Sequence, residues 1–383
     1  MRILMVEASG RGFLCHYAHA LSLALQQAGH TVSLITGNRD ELAAWSVPFG
    51  KSACLGARRR NWCCLRQQVR QFHPDVVHIQ WVDQPLFATL FVRWLQRRGI
   101  KTVYTPHNIL PHRARWSALP RFRLFYQNVD QVVARDRHIT WGLEEILGLP
   151  RRQITFLSGS PNLLALPYLY PFTKDRQPDL LPARQTNELR LLFFGHGCKR
   201  KGLRQLLSVL ATGDWPENIH LVIAGEEVLR GVSKTLLSRA RSCLQISLLD
   251  QYLPPQQVAA LLTSADLMLM PYVKLCKSPL LDITAAFSLP VLRSDRVQGA
   301  VFKEGLHGLT IAHDDPLALS TAISVLTADP EQLLQMRTAM VREESVENLM
   351  RRLAVGHSTM YQQLLTARSK ASSRKFSVLA GEA

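Results

Sequence analysis

Apolar residues in this chain fall into two rhythms that alternate from end to end. Short continuous runs read as strands buried on both faces: Arg2–Glu7, Thr31–Thr36, Asp75–Gln80, Lys101–Thr105 and Val129–Ala134, then Leu189–Phe194, His220–Ala224, Ala265–Met270 and Val291–Asp295, with a shorter run at Leu309–Ala312. Between them apolar positions recur at helical spacing over Ala18–Ala28, Trp62–Phe72, Gln84–Arg98, Thr140–Leu147, Leu203–Leu210, Gln256–Thr263, Pro316–Leu326, Pro330–Glu343 and Val346–Leu365. Strand and helix in alternation predict doubly wound parallel sheets. The rhythm breaks over 158–188, where Pro161, Pro167, Pro171, Pro178 and Pro182 interrupt any long element, and restarts at Leu189. Two Rossmann-like domains joined by a linker are therefore expected. From Ser369 on, Ser, Lys and small residues predict a mobile tail.

In such sheets ligands lie beyond the carboxyl ends of the strands. After the first strand come Gly10 and Gly12, which let backbone approach a ligand closely, although the third glycine of a dinucleotide fingerprint is missing. Lys101–Thr105 runs into Pro106, His107 and Asn108. Leu189–Phe194 is followed by Gly195, His196, the basic run Lys199–Lys201 and Gly202, then by a helix start. Ser278 and Pro279 suit the cap and first turn of a helix, whose open amides and positive dipole end would seat a phosphate. A plain capped helix would use the same residues.

Length and charge narrow the picture. At 383 residues the chain is too long for one ordinary domain. No apolar run is long enough to span a bilayer, and Arg2–Glu7 is too short and too acidic for a signal peptide. Seven cysteines, odd in number and without a C-x-x-C pair, predict reduced thiols, no zinc site and a cytoplasmic protein. The net charge is +17. Residues 1–150 hold 19 Lys/Arg against 9 Asp/Glu, so +10 of it resides there. Such a surface suits nucleic acid, an anionic membrane or an anionic substrate. No nucleic-acid-binding motif is present, which puts the membrane first and leaves nucleic acid unexpected. Trp62, Trp94 and Trp116 lie among these charges, either at headgroup level or packed in the core.

Four motifs in order give a resemblance. Gly10-x-Gly12 with His16-Tyr17 and Gly29-His30-Thr31-Val32, Thr105-Pro-His-Asn-Ile-Leu-Pro-His112, Phe193-Phe-Gly195 with Lys201-Gly202, and Pro271-Tyr272 with Ser278 and Pro290-Val291 together resemble the bacterial family-4, or group 1, glycosyltransferases of exopolysaccharide type. The resemblance covers roughly 1–365. It implies an α/β GT-B fold, two Rossmann-like doubly wound domains facing a central cleft: an acceptor domain over 1–165, a linker over 166–188, a nucleotide-sugar domain over 189–345, and a terminal helix over 346–368 that can return to the first domain, with 369–383 as the tail. It implies transfer of a sugar from a nucleotide-sugar donor to a lipid-linked glycan acceptor, with retention, without a metal or other cofactor, by a protein peripheral on the inner face of the cell membrane.

The same resemblance suggests roles. Lys201 would be the chief cation on the leaving diphosphate, with Gly195 and His196 beside it. Ser278 and the amides of Leu280 and Leu281 would cradle a phosphate. His107 would meet the transferred sugar or the acceptor hydroxyl, with Tyr17 and Asn108 behind it, and Gly10 and Gly12 would approach the donor phosphates or the acceptor. Two glutamates that many relatives carry are replaced by Leu275 and Ile283, with Asp282 one position out of register, and the arginine after F-F-G is His196. These departures motivate an alternative, a non-catalytic GT-B protein that binds a nucleotide sugar or a partner glycosyltransferase.

Overall fold

The computed structural model describes residues 1–56, 58–110, 115–159, 180–299, 302–341 and 346–379. The chain divides into two compact units, one of residues 1–163 with 346–383, the other of 164–345. The expected linker lies mostly outside the described residues.

The first unit holds strands β1 (Arg2–Val6), β2 (Thr31–Gly37), β3 (Gly50–Leu55), β4 (Val76–Ile79), β5 (Lys101–Tyr104), β6 (Gln131–Ala134) and β7 (Ile154–Phe156). They form one parallel sheet in the order β3-β2-β1-β4-β5-β6-β7. The order reverses at β1 and β4, so the loop after β1 stands at a switch point, where such sheets bind ligands. β3 and β7 lie outside the sequence expectation, because these edge strands are only partly buried and carry no continuous apolar run.

Helix α1 is Gly12–Gln27, α2 Arg58–Phe72, α3 Pro85–Gln96, α4 Arg115–Asn128 and α5 Arg137–Trp141. Leu4 and Val6 of β1 and Val77 and Ile79 of β4 pack with α2, α3 and α4 in one core cluster. Strand alternation turns Ile3, Met5 and His78 the other way. Trp62 and Trp94 belong to the α2–α3 packing: Trp62 meets Phe87, Phe91 and Trp94 at ring distances of 5.5–6.1 Å, and Arg98 stacks on Trp94 at 4.0 Å. Trp116 has no described side chain.

Cys54 of β3 and Cys64 of α2 form a disulfide with a Cα separation of 6.6 Å. This corrects the expectation that all seven cysteines are reduced. A ten-residue spacing gives no sign of the pair; the packing of α2 beside the edge strand brings it together.

The second unit has strands β8 (Leu189–Phe194), β9 (Ile219–Ala224), β10 (Gln245–Leu249), β11 (Leu267–Met270), β12 (Cys276–Lys277), β13 (Val291–Ser294), β14 (Val297–Gln298) and β15 (Gly308–Ile311). Six of them form a parallel sheet in the order β10-β9-β8-β11-β13-β15, and β12 pairs separately with β14. Helices α6 (Leu203–Leu210), α7 (Lys234–Arg241), α10 (Pro316–Ala328) and α11 (Pro330–Val341) cover one face. Helices α8 (Pro255–Ser264) and α9 (Leu280–Ala286) cover the other.

The chain then rejoins the first unit through α12 (Val346–Leu379), which packs on α1. Tyr361 Oη lies 2.6 Å from His78 Nδ1, and Ser358 Oγ 2.6 Å from His30 Nε2. Sandwiched between sheet and α12, α1 is buried without a break from Cys15 to Leu25. Helix α12 continues through Leu379, into the segment expected as a tail.

Candidate active site

In the second unit the strand order reverses between β8 and β11, which sets the loops after them side by side. Gly195 follows β8 with φ 128°, a region that L side chains avoid. Lys199–Lys201 make one 3₁₀ turn, ended by left-handed Gly202. A Cβ on Gly202 would strike the Pro271 carbonyl, and the Val273 amide donates to the Arg200 carbonyl at 2.8 Å. The two loops are thus stitched by backbone contacts that need a glycine at 202.

The Lys201 side chain folds back over Gly195, where any Cβ would collide with Nζ. Burial holds this ammonium below the usual lysine range, with Arg200 adding to the effect. Among the described residues no carboxylate lies within ion-pairing distance of it. A half-buried ammonium with no carboxylate partner among the described residues is a costly arrangement that an anionic ligand relieves. His196 instead reaches solvent, half exposed and 3.8 Å from Glu226.

Ser278 is buried, its Oγ 3.3 Å from Tyr272 Oη. Burial pushes the Tyr272 phenol up to about 12, so it stands as a neutral hydroxyl at neutral pH. The expected cap is corrected in detail. Pro279, not Ser278, occupies the cap position of α9, and the Leu281 amide donates to the Ser278 carbonyl at 3.3 Å. Pro279 is already helical at φ −63° and ψ −12°, and no side chain caps α9; the Ser278 carbonyl takes an amide of its first turn instead. Leu280 and Leu281 side chains go into the core. A cavity of about 160 Å³ opens beside the 3₁₀ turn, with Lys199, Arg204 and Arg230 among its lining and no acidic residue; Lys201 and Ser278 do not line it.

In the first unit the glycine loop is locked from beneath. The fully buried Glu7 accepts the Ser9 amide at 2.6 Å, the Gly10 amide at 3.0 Å and the Thr36 hydroxyl at 3.0 Å, with the Ser9 hydroxyl as a fourth donor. Glu41 accepts the Gly12 amide at 2.5 Å and lies 3.2 Å from His16 Nε2. The amides of Ser9, Gly10 and Gly12 are therefore turned toward two carboxylates. These three amides are thereby engaged within the loop, with negative charge beneath it. Gly10 is required by packing, since a Cβ there would press on the Gly37 and Arg39 carbonyls at 2.9 Å.

His107, half buried after β5, is met edge-on by Tyr17 at 4.9 Å and by Phe13 at 5.7 Å. The buried Arg135 places its guanidinium over Tyr17 at 5.3 Å and Phe13 at 5.6 Å. The fold thus brings Tyr17 and His107 together, while Asn108 is exposed. Glu7, Glu41 and Arg135 escape the sequence reading. Glu7 and Arg135 each stand just past the apolar run of a strand, and that was the available signal.

Two family descriptions match the chain. Residues 16–159 match Glycosyltransferase Family 4, and residues 188–329 match Glycosyl transferases group 1. The chain is a GT-B glycosyltransferase, of family 4 in its first part and group 1 in its second. The transferase shares its fold with a glycosyltransferase from Rickettsia africae at 16% identity and a TM-score of 0.65, covering 95% of this chain and 98% of that one. A sucrose-phosphate synthase from Thermosynechococcus elongatus matches at 16% identity and a TM-score of 0.67, covering 96% and 100%. Anabaena HepE, solved with UDP, matches at 14% identity and a TM-score of 0.59, covering 97% and 100%. No curated protein matches the transferase by sequence. At the positions of the two family glutamates, Leu275 is 61% exposed and Ile283 is packed in the core, and neither offers a carboxylate.

Proposed function

We propose that this transferase moves a hexose from a nucleoside-diphosphate sugar to a lipid-linked glycan acceptor, with retention and without a catalytic metal, at an anionic membrane surface during polysaccharide or glycolipid assembly. One observation carries the donor half: the largely desolvated ammonium of Lys201, folded over Gly195 at the switch point and without a carboxylate partner among the described residues. A departing diphosphate develops negative charge, and a fixed cation in a dry site stabilises it more than water does. Tyr272 and Ser278 add neutral hydroxyl donors in the same unit. HepE, of the same fold, was solved with UDP and with UDP-glucose, which makes uridine donors the first to try.

The membrane half rests on the layer of α2, α3 and α4. These helices carry nine arginines and no acidic residue. On α3, Leu86 and Leu90 are 51% and 62% exposed, and Arg93 lies exposed on the same face. Exposed leucines among arginines suit a surface that is anionic above and apolar below. No described helix is long and apolar enough to cross a membrane.

Calorimetric titration of wild type and Lys201→Ala with UDP, GDP and ADP tests the donor half. We expect one diphosphate to bind wild type and to bind the variant at least ~10-fold more weakly, the scale of one charged hydrogen bond. Equal binding by both proteins would overturn it.

A further inference from the structure

The first unit contains a second cluster of chemically active side chains, made of residues other than those assigned to sugar transfer. Cys15 and His19 stand one turn apart on α1 and so share a face. Asp40, in the loop after β2, meets them there. Cys15 Sγ is 3.6 Å from His19 Nδ1 and 3.9 Å from Asp40 Oδ1, and all three ligand atoms lie within 4.8 Å of one another. Among the described residues this is the one such grouping of metal-ligating atoms. We propose that Cys15, His19 and Asp40 form a structural zinc site in the core of the first unit.

The spacing carries the proposal first. Zinc bound tetrahedrally at about 2.0–2.3 Å from its ligands sets them roughly 3.3–3.7 Å apart. The sulfur–nitrogen separation of 3.6 Å and the sulfur–oxygen separation of 3.9 Å are close to that, and a fourth position would fall to a ligand from outside the three side chains. A mixed thiolate, imidazole and carboxylate set suits zinc rather than magnesium or calcium, which take oxygen alone. The surrounding charge is a second, independent observation. Glu7, Asp40 and Glu41 all bear on the Cys15 sulfur, while Lys51 is the cation that opposes them. Lys51 Nζ sits 2.8 Å from Asp40 Oδ2 and also donates to the Leu42 carbonyl, so it steadies the outer oxygen, while Oδ1 accepts the Leu42 amide at 3.0 Å and faces the sulfur. That is the usual place of an outer partner that orients a metal-binding carboxylate. Finally, His19 is fully buried, with Nδ1 on the side of the Cys15 sulfur.

The binding step balances simply. The ion replaces the proton of the Cys15 thiol, which leaves to solvent. At His19 the ring proton moves to Nε2, and Nδ1 exchanges its 2.8 Å contact with the Cys15 carbonyl for the metal. The bound ion would tie α1 to the loop that carries Glu41, and through Glu41 to the Gly12 amide. It would therefore stiffen the glycine loop rather than take part in chemistry.

The test is the metal content of the tag-free full chain, produced with supplemented zinc and dialysed against a mild chelator. We expect one zinc per wild-type chain, the same in Cys63→Ser, and loss in Cys15→Ser and Asp40→Asn. Refolding wild type with cobalt should give the near-ultraviolet thiolate charge-transfer band. This second reading stands even if Cys15→Ser does not fold. Folded wild type without zinc, absence of the cobalt band, or full zinc retention in Cys15→Ser would each overturn the site.

Discussion

At the scale of residues, Lys201 and Gly195 act as one device. The lysine is held over a position where no side chain fits, so the glycine is needed for its absent Cβ as well as for its backbone angle. Lys201→Ala should slow transfer by about 10²–10³, the cost of removing one preorganised stabilising group. Gly195→Ala should weaken diphosphate binding in the same direction although it removes no charge, because it displaces Nζ. A Gly195→Ala protein that binds UDP like wild type would show that the ammonium has another seat. His107 is placed by two aromatic rings. His107→Ala should lower kcat with little change in the Kd for the nucleoside diphosphate, and parallel losses in both would assign it a structural role.

Among the elements, α12 packs on the first sheet through buried histidines. His78 and His357 lie fully buried with ring centres 5.6 Å apart. Burial, with the neighbouring His357 adding to it, holds His78 well below the usual histidine range. Burial brings His357 down to about 4 from 6.5. Both are neutral when folded. Below pH 6.5 the unfolded chain takes up protons that the folded chain refuses, so stability falls as pH drops from 6.5 toward 4 and is intact above 6.5. His357 alone should cost about 2 kcal/mol at pH 5 relative to pH 7.5. Urea unfolding at the two values, with His357→Leu as comparison, measures it: the variant should lose part of the pH dependence, and an unchanged slope would exclude His357. The elements that their own residues do not announce are equally instructive. β3 and β7 exist because a sheet edge was open to them, and α4 carries Pro120 in its interior, a residue that argues against a helix until packing overrides it.

For the whole molecule, the prediction concerns its surface. The transferase should sediment with vesicles containing anionic lipid and come off in high salt, since each arginine near such a surface contributes about 1 kcal/mol within a Debye length of about 8 Å. Leu86→Ser with Leu90→Ser should weaken the attachment without unfolding, as both leucines are exposed. Equal binding to neutral and anionic vesicles would leave the acid-free helical layer unexplained. The two parallel sheets, the glycine-bearing turns and the candidate lysine follow from the sequence alone, because hydrophobic rhythm and glycine placement are local properties of the chain. The Cys54–Cys64 bond, the carboxylates of Glu7 and Glu41 beneath the glycine loop, and Arg135 behind His107 follow only from the fold. Each joins residues from different elements, and no periodicity records which side chains a parallel sheet will set side by side. The clearest case is Lys201: its sequence announced a cation, but only partial burial away from any described carboxylate makes it one that calls for an anion.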